Sequence, residues 1–201
     1  MKAEERKQMI LSCSKKLFSK HGYYNTQISD IVKSANIARG TIYQYFSNKD
    51  DIFISLLEAG YVEWENTISA EIEGVDLLKL DPKEYLSLRI KNSLSYFAKD
   101  PEMSNLILRM GYGLPENLVK TINRLDEEII AQMTAEITYG KETNILRKDL
   151  NVELAANFLI GAILRVAYHY FVKNVTQNKK DGIAKISDEI VSMMTTGIFA
   201  S

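Results

Sequence analysis

Apolar residues recur along this chain at intervals of three and four and nowhere for long at intervals of two, the spacing of helices that bury one face. Ile10, Cys13 and Leu17 form one such stripe near the N-terminus. Ile28, Ile31, Val32 and Ala35 compress the pattern into two turns, with Ser29, Asp30 and Lys33 on the opposite side. Thr26 stands where an N-cap hydroxyl accepts free backbone N–H groups. Asn36 follows as a residue that takes the left-handed conformation at low cost, which predicts a tight turn. Ile37 is expected to pack inward. A second short helix is predicted over 38–45. Its apolar anchors are Ile42 and Phe46, which leaves Arg39, Gly40, Thr41, Tyr43, Gln44 and Tyr45 to face outward.

Later boundaries follow from capping residues. Asp81-Pro82 and Asp100-Pro101 each place proline at the first helical position. Gly111 to Pro115 interrupts the periodicity, Gly140 is assigned the C-cap of another helix, Asn151 caps the next, and Asn178 to Gly182 reads as a polar loop. The resulting helices are 4–21, 27–34, 38–45, 49–73, 82–99, 101–110, 115–139, 152–175 and 182–199. With three prolines and ten glycines in 201 residues, long uninterrupted elements are the rule, and the fold class is all-α. The expected organisation is an N-terminal three-helix helix-turn-helix domain over 1–48 and a C-terminal helical domain over 49–201.

Charge divides along the same line. The whole chain carries −1, but residues 1–50 hold nine basic and four acidic groups, a net +5, so the remainder carries −6. A small phosphate-binding domain joined to a domain without nucleic-acid contacts has this asymmetry, because phosphate neutralisation supplies much of the affinity. In a helix-turn-helix the second helix lies in the major groove with its N-terminal residues at the base edges. Arg39 is then placed to pair with guanine, Gln44 with adenine, and the Thr41 methyl with that of thymine. In an anonymous helix Tyr43, Tyr45 and Phe46 would more often be core; in this context Tyr43 is read as outward and Phe46 as core. Lys49, at the start of a helix whose first turn holds Asp50 and Asp51, lies beside free backbone N–H groups where a phosphate is welcome.

Residues 5–57 resemble the N-terminal domain of TetR-family transcriptional regulators. The resemblance rests on Leu17 to Tyr23, on Thr26 to Ile37, and above all on Gly-Thr-Ile-Tyr-x-Tyr-Phe-x-x-Lys-x-x-Ile from Gly40 to Ile52. It implies that Tyr43 and Lys49 hold phosphates, that Arg39, Gly40, Thr41, Gln44 and Tyr45 lie at or near the groove, and that Thr26 contacts the DNA backbone. Asn36 stands where the family usually has Gly, and Ala38 where a Ser is common, which removes a helix cap and one phosphate contact. The resemblance also implies nine helices, with the last two forming a four-helix dimer interface.

The predicted helices 152–175 and 182–199 carry broad apolar faces: Ala155, Phe158, Leu159, Ala162, Ile163 and Val166 on one, and Ile183, Ile186, Ile190, Met193 and Met194 on the other. Homodimerisation and single-chain core packing both accommodate them. Trp64, Met103, Met110, Tyr112, Phe158 and Tyr168 lie on helices that enclose the effector pocket in the family, with Arg109, Arg165 and His169 as polar partners; plain core is the competing reading for most. Arg165 and His169 sit one turn apart in the most apolar helix, where an unpaired charge is costly. Either a neighbouring carboxylate or an anionic effector is expected to satisfy Arg165.

Two histidines and one cysteine, far apart, do not make a metal site, and no cofactor is expected. Nucleophile elbow, phosphate loop and triad are all lacking, so an enzyme has no support. A constitutive architectural DNA-binder would need a basic surface throughout. The N-terminus lacks the apolar run of a signal peptide, and Phe158 to Val172 is too short to span a bilayer, so a cytoplasmic protein without membrane contact is expected. The function predicted is a ligand-responsive regulator, a repressor by preference. It would bind a pseudo-palindromic double-stranded DNA operator as a dimer and be released by a small hydrophobic or amphipathic effector. The string Gly40 to Leu56 resembles regulators of fatty-acid degradation that respond to acyl-coenzyme A, and a hydrophobic drug of an efflux system is the alternative effector.

Overall fold

A computed structural model describes residues 2–70, 81–108, 113–173 and 180–196. Among these residues every regular element is helical: α1 (Ala3–His21), α2 (Ile28–Ala35), α3 (Arg39–Ile42), α4 (Lys49–Ala70), α5 (Pro82–Lys99), α6 (Pro101–Leu108), α7 (Glu116–Glu142), α8 (Val152–Ala167), a π-helical segment Tyr168–Lys173, and α9 (Lys180–Thr196).

The chain folds as two compact units, one of residues 1–62 with 102–127, the other of 63–101 with 128–201. Helices α4 and α7 each contribute to both. In the first unit α1 packs on α2 and α2 on α3, around Ile10, Phe18, Ile31, Ile42, Phe46, Ile52 and Phe53, all of them buried. Phe18 meets Phe53 edge-on at 5.0 Å between centroids, an arrangement aromatic quadrupoles favour. Helix α1 ends at Gly22, whose φ of 78° suits a residue without Cβ and whose N–H donates to the Phe18 carbonyl. Cys13 is half-buried beside this core.

In the second unit α5 packs against α8 and α9, burying Ile90, Leu94, Phe97, Ile160, Ile163 and Val191. Asp81 caps α5 by accepting from the Lys83 N–H at 2.8 Å, with Pro82 in the first position. Asn151 caps α8 in the same way, accepting from Leu154 at 3.0 Å. Two local expectations give way. Helix α7 runs past Gly140 to Glu142, and the left-handed residue beyond it is Asn144, with φ 60°. Gly140 instead admits Leu146: a Cβ there would lie 2.8 Å from Leu146 Cδ1. And α8 continues into the π-helical segment, so Val152–Lys173 forms a 22-residue stretch long and apolar enough to cross a membrane by length and composition, not the shorter run the sequence predicted. An interface or core helix of a soluble protein passes the same test.

Candidate nucleic-acid interface and effector pocket

The turn between α2 and α3 is made by Asn36 at φ 50°, ψ 51°, the left-handed conformation expected of it. Its N–H donates to the Lys33 carbonyl, and the Ile37 N–H to that of Val32. Helix α3 is one turn long rather than two. Beyond it Tyr43 to Tyr45 form a hydrogen-bonded turn, in which Gln44 donates to Thr41 and Tyr45 and Phe46 to Ile42. Ile42 and Phe46 are buried and fix this segment to the core. Arg39, Gly40 and Gln44 are exposed, Tyr43 is 48 % exposed, and Thr41 and Tyr45 are half-buried. Glycine in a helix costs about 1 kcal/mol relative to alanine. At Gly40 a Cβ would meet nothing within 4 Å, so packing within the chain does not require glycine there.

Thr26 departs from its expected role. The N-cap of α2 is Gln27, whose N–H donates to the Asp30 carboxylate at 2.8 Å. Thr26 is buried with its hydroxyl donating to the Gly22 carbonyl, so its side chain braces the α1–α2 corner instead of facing solvent.

Lys49 opens α4, capped by Asn48, whose carboxamide oxygen accepts from the Asp51 N–H at 2.9 Å. The Lys49 ammonium donates to the Tyr23 carbonyl at 2.9 Å and lies 4.0 Å from the Tyr23 ring centroid. Burial lowers its pKa, and the Asp50 charge partly opposes that. Tyr23 also donates its phenol to Asp50, and burial followed by that hydrogen bond pushes the phenol pKa up. Asn117, in the first turn of α7, donates to the other Asp50 oxygen at 2.7 Å. Sequence reading missed Tyr23, Asp50 and Asn117 as a group, because positions 23, 50 and 117 share no local period. Lys7 was missed too; its ammonium lies 5.9 Å from the Phe46 ring centroid.

Within the second unit a pocket of about 50 Å³ is lined by Trp64, Ile68, Leu86, Ile90, Ile129, Met133, Leu159, Ile160 and Ile163, with Glu65, Arg89, Ser93 and Gln132 as its polar members. Arg89 pairs with Glu136 at 2.7 Å, and Tyr85 donates to the same carboxylate at 3.1 Å. Burial raises the Tyr85 pKa. Among the described residues predicted to contact effector, Trp64 alone lines the pocket. Met103 packs in the first unit, where its sulfur would lie 2.7 Å from a Cβ at Gly60. Arg109, Met110 and Tyr112 lie outside the described residues.

Phe158, Arg165 and His169 are exposed, and Tyr168 is half-buried with the Arg165 guanidinium 5.4 Å from its ring centroid. The helical period explains their placement. Leu159, Ile160 and Ile163 turn toward the pocket, which points Phe158 and Arg165 away from it. Arg165 therefore carries no burial penalty within the chain, and the expectation that it needs a carboxylate or an anionic effector loses its premise. Arg89, which actually lines the pocket, had no sequence signal beyond its place on the amphipathic α5. Among the described residues no cluster of His, Cys, Asp and Glu is arranged to hold a metal.

Residues 10–56 match the family described as bacterial regulatory proteins, tetR family. The chain is 27 % identical to the fatty acid metabolism regulator protein of Bacillus subtilis, over 98 % of each chain. Among solved structures it resembles the transcriptional regulator FadR from Bacillus subtilis in complex with stearoyl-CoA, with TM-score 0.81, 25 % identity, and coverage of 96 % of this chain and 99 % of that one. The fold is likewise that of the fatty acid degradation regulator FadR from Bacillus halodurans, with TM-score 0.84 at 21 % identity over 98 % and 97 % of the two chains. The matched segment contains the whole of α2, α3 and the outward-facing turn after them, so residues 10–56 carry the DNA-binding domain of the tetR family of regulatory proteins, and the likeness to a fatty acid metabolism regulator extends over nearly the full length.

Proposed function

We propose that this protein is a repressor that binds a pseudo-palindromic operator as a homodimer and leaves it when a long-chain acyl-coenzyme A binds. Residues 1–48 are the reader, and residues 49–201 sense the effector and form the dimer. The observation that carries the reading is the outward face of α3 and its following turn. Arg39, Gly40, Tyr43 and Gln44 are exposed there on a frame held by buried Ile42 and Phe46, inside the basic part of the chain. Operator symmetry asks for two such faces about 34–36 Å apart.

The effector assignment is supported by the relative that binds stearoyl-CoA and by an apolar pocket with a few polar groups, the usual make-up of a small-molecule site. Sites for drug-sized ligands measure about 300–1,000 Å³, several times the 50 Å³ found here. Effector entry therefore has to part the helices around Trp64, Leu86, Met133 and Leu159. The dimer is supported by Leu154 and Phe158 on α8, which are 67 % and 64 % exposed, and by Met193 on α9 at 53 %. Leu154 and Phe158 lie one turn apart on the same helix face, and contiguous apolar surface marks association sites. A reader of chromosomal operators works in the cytoplasm, and the apolar Val152–Lys173 stretch then meets a second subunit instead of a bilayer.

The test is binding to duplexes from the protein's own upstream region across a salt series. Lys49→Ala is expected to weaken binding to all sequences and to flatten the logarithmic salt slope by about one. Arg39→Ala or Gln44→Ala should relax preference at particular base pairs, by about 1–3 kcal/mol for a good bidentate contact. A chain that binds no duplex at low salt would overturn the reading.

A further inference from the structure

The start of α4 holds an arrangement that the regulator reading leaves unused. Side chains at adjacent helical positions normally diverge, yet Lys49 and Asp50 both converge on Tyr23. Lys49 takes the Tyr23 carbonyl and the ring face, and Asp50 takes the phenol. Asp50 has two carboxylate oxygens, and each is occupied by a neutral donor: Tyr23 on one, Asn117 on the other. The Asp50 charge already raises the proton affinity of Lys49, so the two groups interact electrostatically. Asn117 belongs to α7, the helix that also carries the pocket residues Ile129, Gln132 and Met133. The turn before α7 is tied to the same corner, because the Tyr24 hydroxyl donates to the Gly113 carbonyl. Arg124 of α7 further pairs with Glu58 of α4 at 2.6 Å.

From this we infer that Asn117 is a positioning residue for DNA binding: by occupying one Asp50 oxygen it keeps that carboxylate off Lys49, and its withdrawal lets Asp50 neutralise the ammonium that a DNA phosphate would otherwise take. The inference rests on the reading of Lys49 as a phosphate contact. A carboxylate with one oxygen released gains most from the nearest cation, since charge-assisted hydrogen bonds are the stronger ones. The phosphate and Asp50 then compete for one ammonium. The cost to DNA binding is the loss of a single phosphate contact, independent of base sequence. Effector-driven movement of α7 is the natural occasion for that withdrawal, but the competition itself needs no effector to be measured.

The experiment is duplex binding by the full chain, without effector, from 50 to 200 mM salt. Asn117→Ala is expected to lower affinity for specific and non-specific duplexes alike, by about 3- to 10-fold, and to reduce the salt slope by about one. Asp50→Asn, which removes the competing charge, should bind within about threefold of the parent chain, with its slope preserved. The double variant Asp50→Asn with Asn117→Ala should recover affinity and slope, because no carboxylate remains to capture Lys49. A purely structural role for Asn117 predicts no rescue. Asn117 is exposed, so its replacement leaves the core intact, and Trp64 fluorescence checks that the variants are folded. Asn117→Ala with unchanged affinity and slope, or a double variant as weak as Asn117→Ala, overturns the inference. A parent chain that binds no duplex overturns the regulator reading and the inference with it.

Discussion

At the scale of single residues, Lys49 shows how a surface lysine becomes a tuned one. Its ammonium is held by the Tyr23 carbonyl and ring, and burial lowers its pKa below that of an ordinary lysine. Phosphate binding favours the protonated form, so DNA affinity should begin to fall on the alkaline side at a lower pH than a lysine with a normal pKa would allow. Arginine stays charged throughout that range. The expected outcome is a binding curve for Lys49→Arg that stays flat where the parent curve declines; parallel curves would remove Lys49 from the contact list. Residue-level legibility was uneven for a physical reason. Ile42, Phe46 and Asn36 were readable because local period or backbone preference decides where they point, whereas Tyr43 was read outward only from the string around it. Thr26, Arg165 and His169 depend on which neighbour arrives from elsewhere in the chain. Thr26 turned back onto Gly22, and Arg165 and His169 lie on the exposed side of their helix.

Among the elements, some helix starts were legible and some ends were not. The Asp81 and Asn151 caps are local chemistry, a side-chain oxygen accepting from an N–H two or three residues on, and both form as expected. Gly140 misled because glycine serves two purposes: it ends helices, and it lets another side chain come close. Here the second operates. With Leu146 Cδ1 2.8 Å from the position of a Cβ, Gly140→Ala forces Leu146 or the α7 backbone to shift. Overpacking of this kind costs typically about 1–3 kcal/mol, against about 1 kcal/mol that alanine gains over glycine in a helix, so the urea midpoint should fall by the difference with the m-value unchanged. A midpoint equal to the parent's would mean that Leu146 swings aside freely. The continuation of α8 into a π-helical segment had no sequence signal, since the residues of Tyr168–Lys173 suit an ordinary α-helix equally well. Pairs such as Arg89 with Glu136 were likewise invisible, being 47 positions apart and decided by how α5 meets α7.

For the whole molecule, the all-helical plan, the helix-turn-helix and the family were readable in the sequence because helical period and one specific string carry them. The pocket beside Trp64 was not, because its lining is drawn from α4, α5, α7 and α8 together. The exposed Leu154 and Phe158 lead to a prediction about assembly. Phe158→Arg should convert the proposed dimer to monomers in sedimentation equilibrium and lower operator affinity, while the salt dependence per chain is retained. A variant that stays dimeric would move the interface away from this face of α8. Under the proposed function, ligand binding and DNA binding oppose each other in one chain. Coupling of this kind is reciprocal: whatever factor the effector takes from DNA affinity, DNA takes from effector affinity. The most direct measurement is the dissociation constant of stearoyl-coenzyme A for the free protein and for its operator complex, followed by Trp64 fluorescence. Affinity for the complex should be at least about tenfold weaker, equivalent to about 1.4 kcal/mol of coupling. Equal affinity for the two forms, however tight, would contradict it.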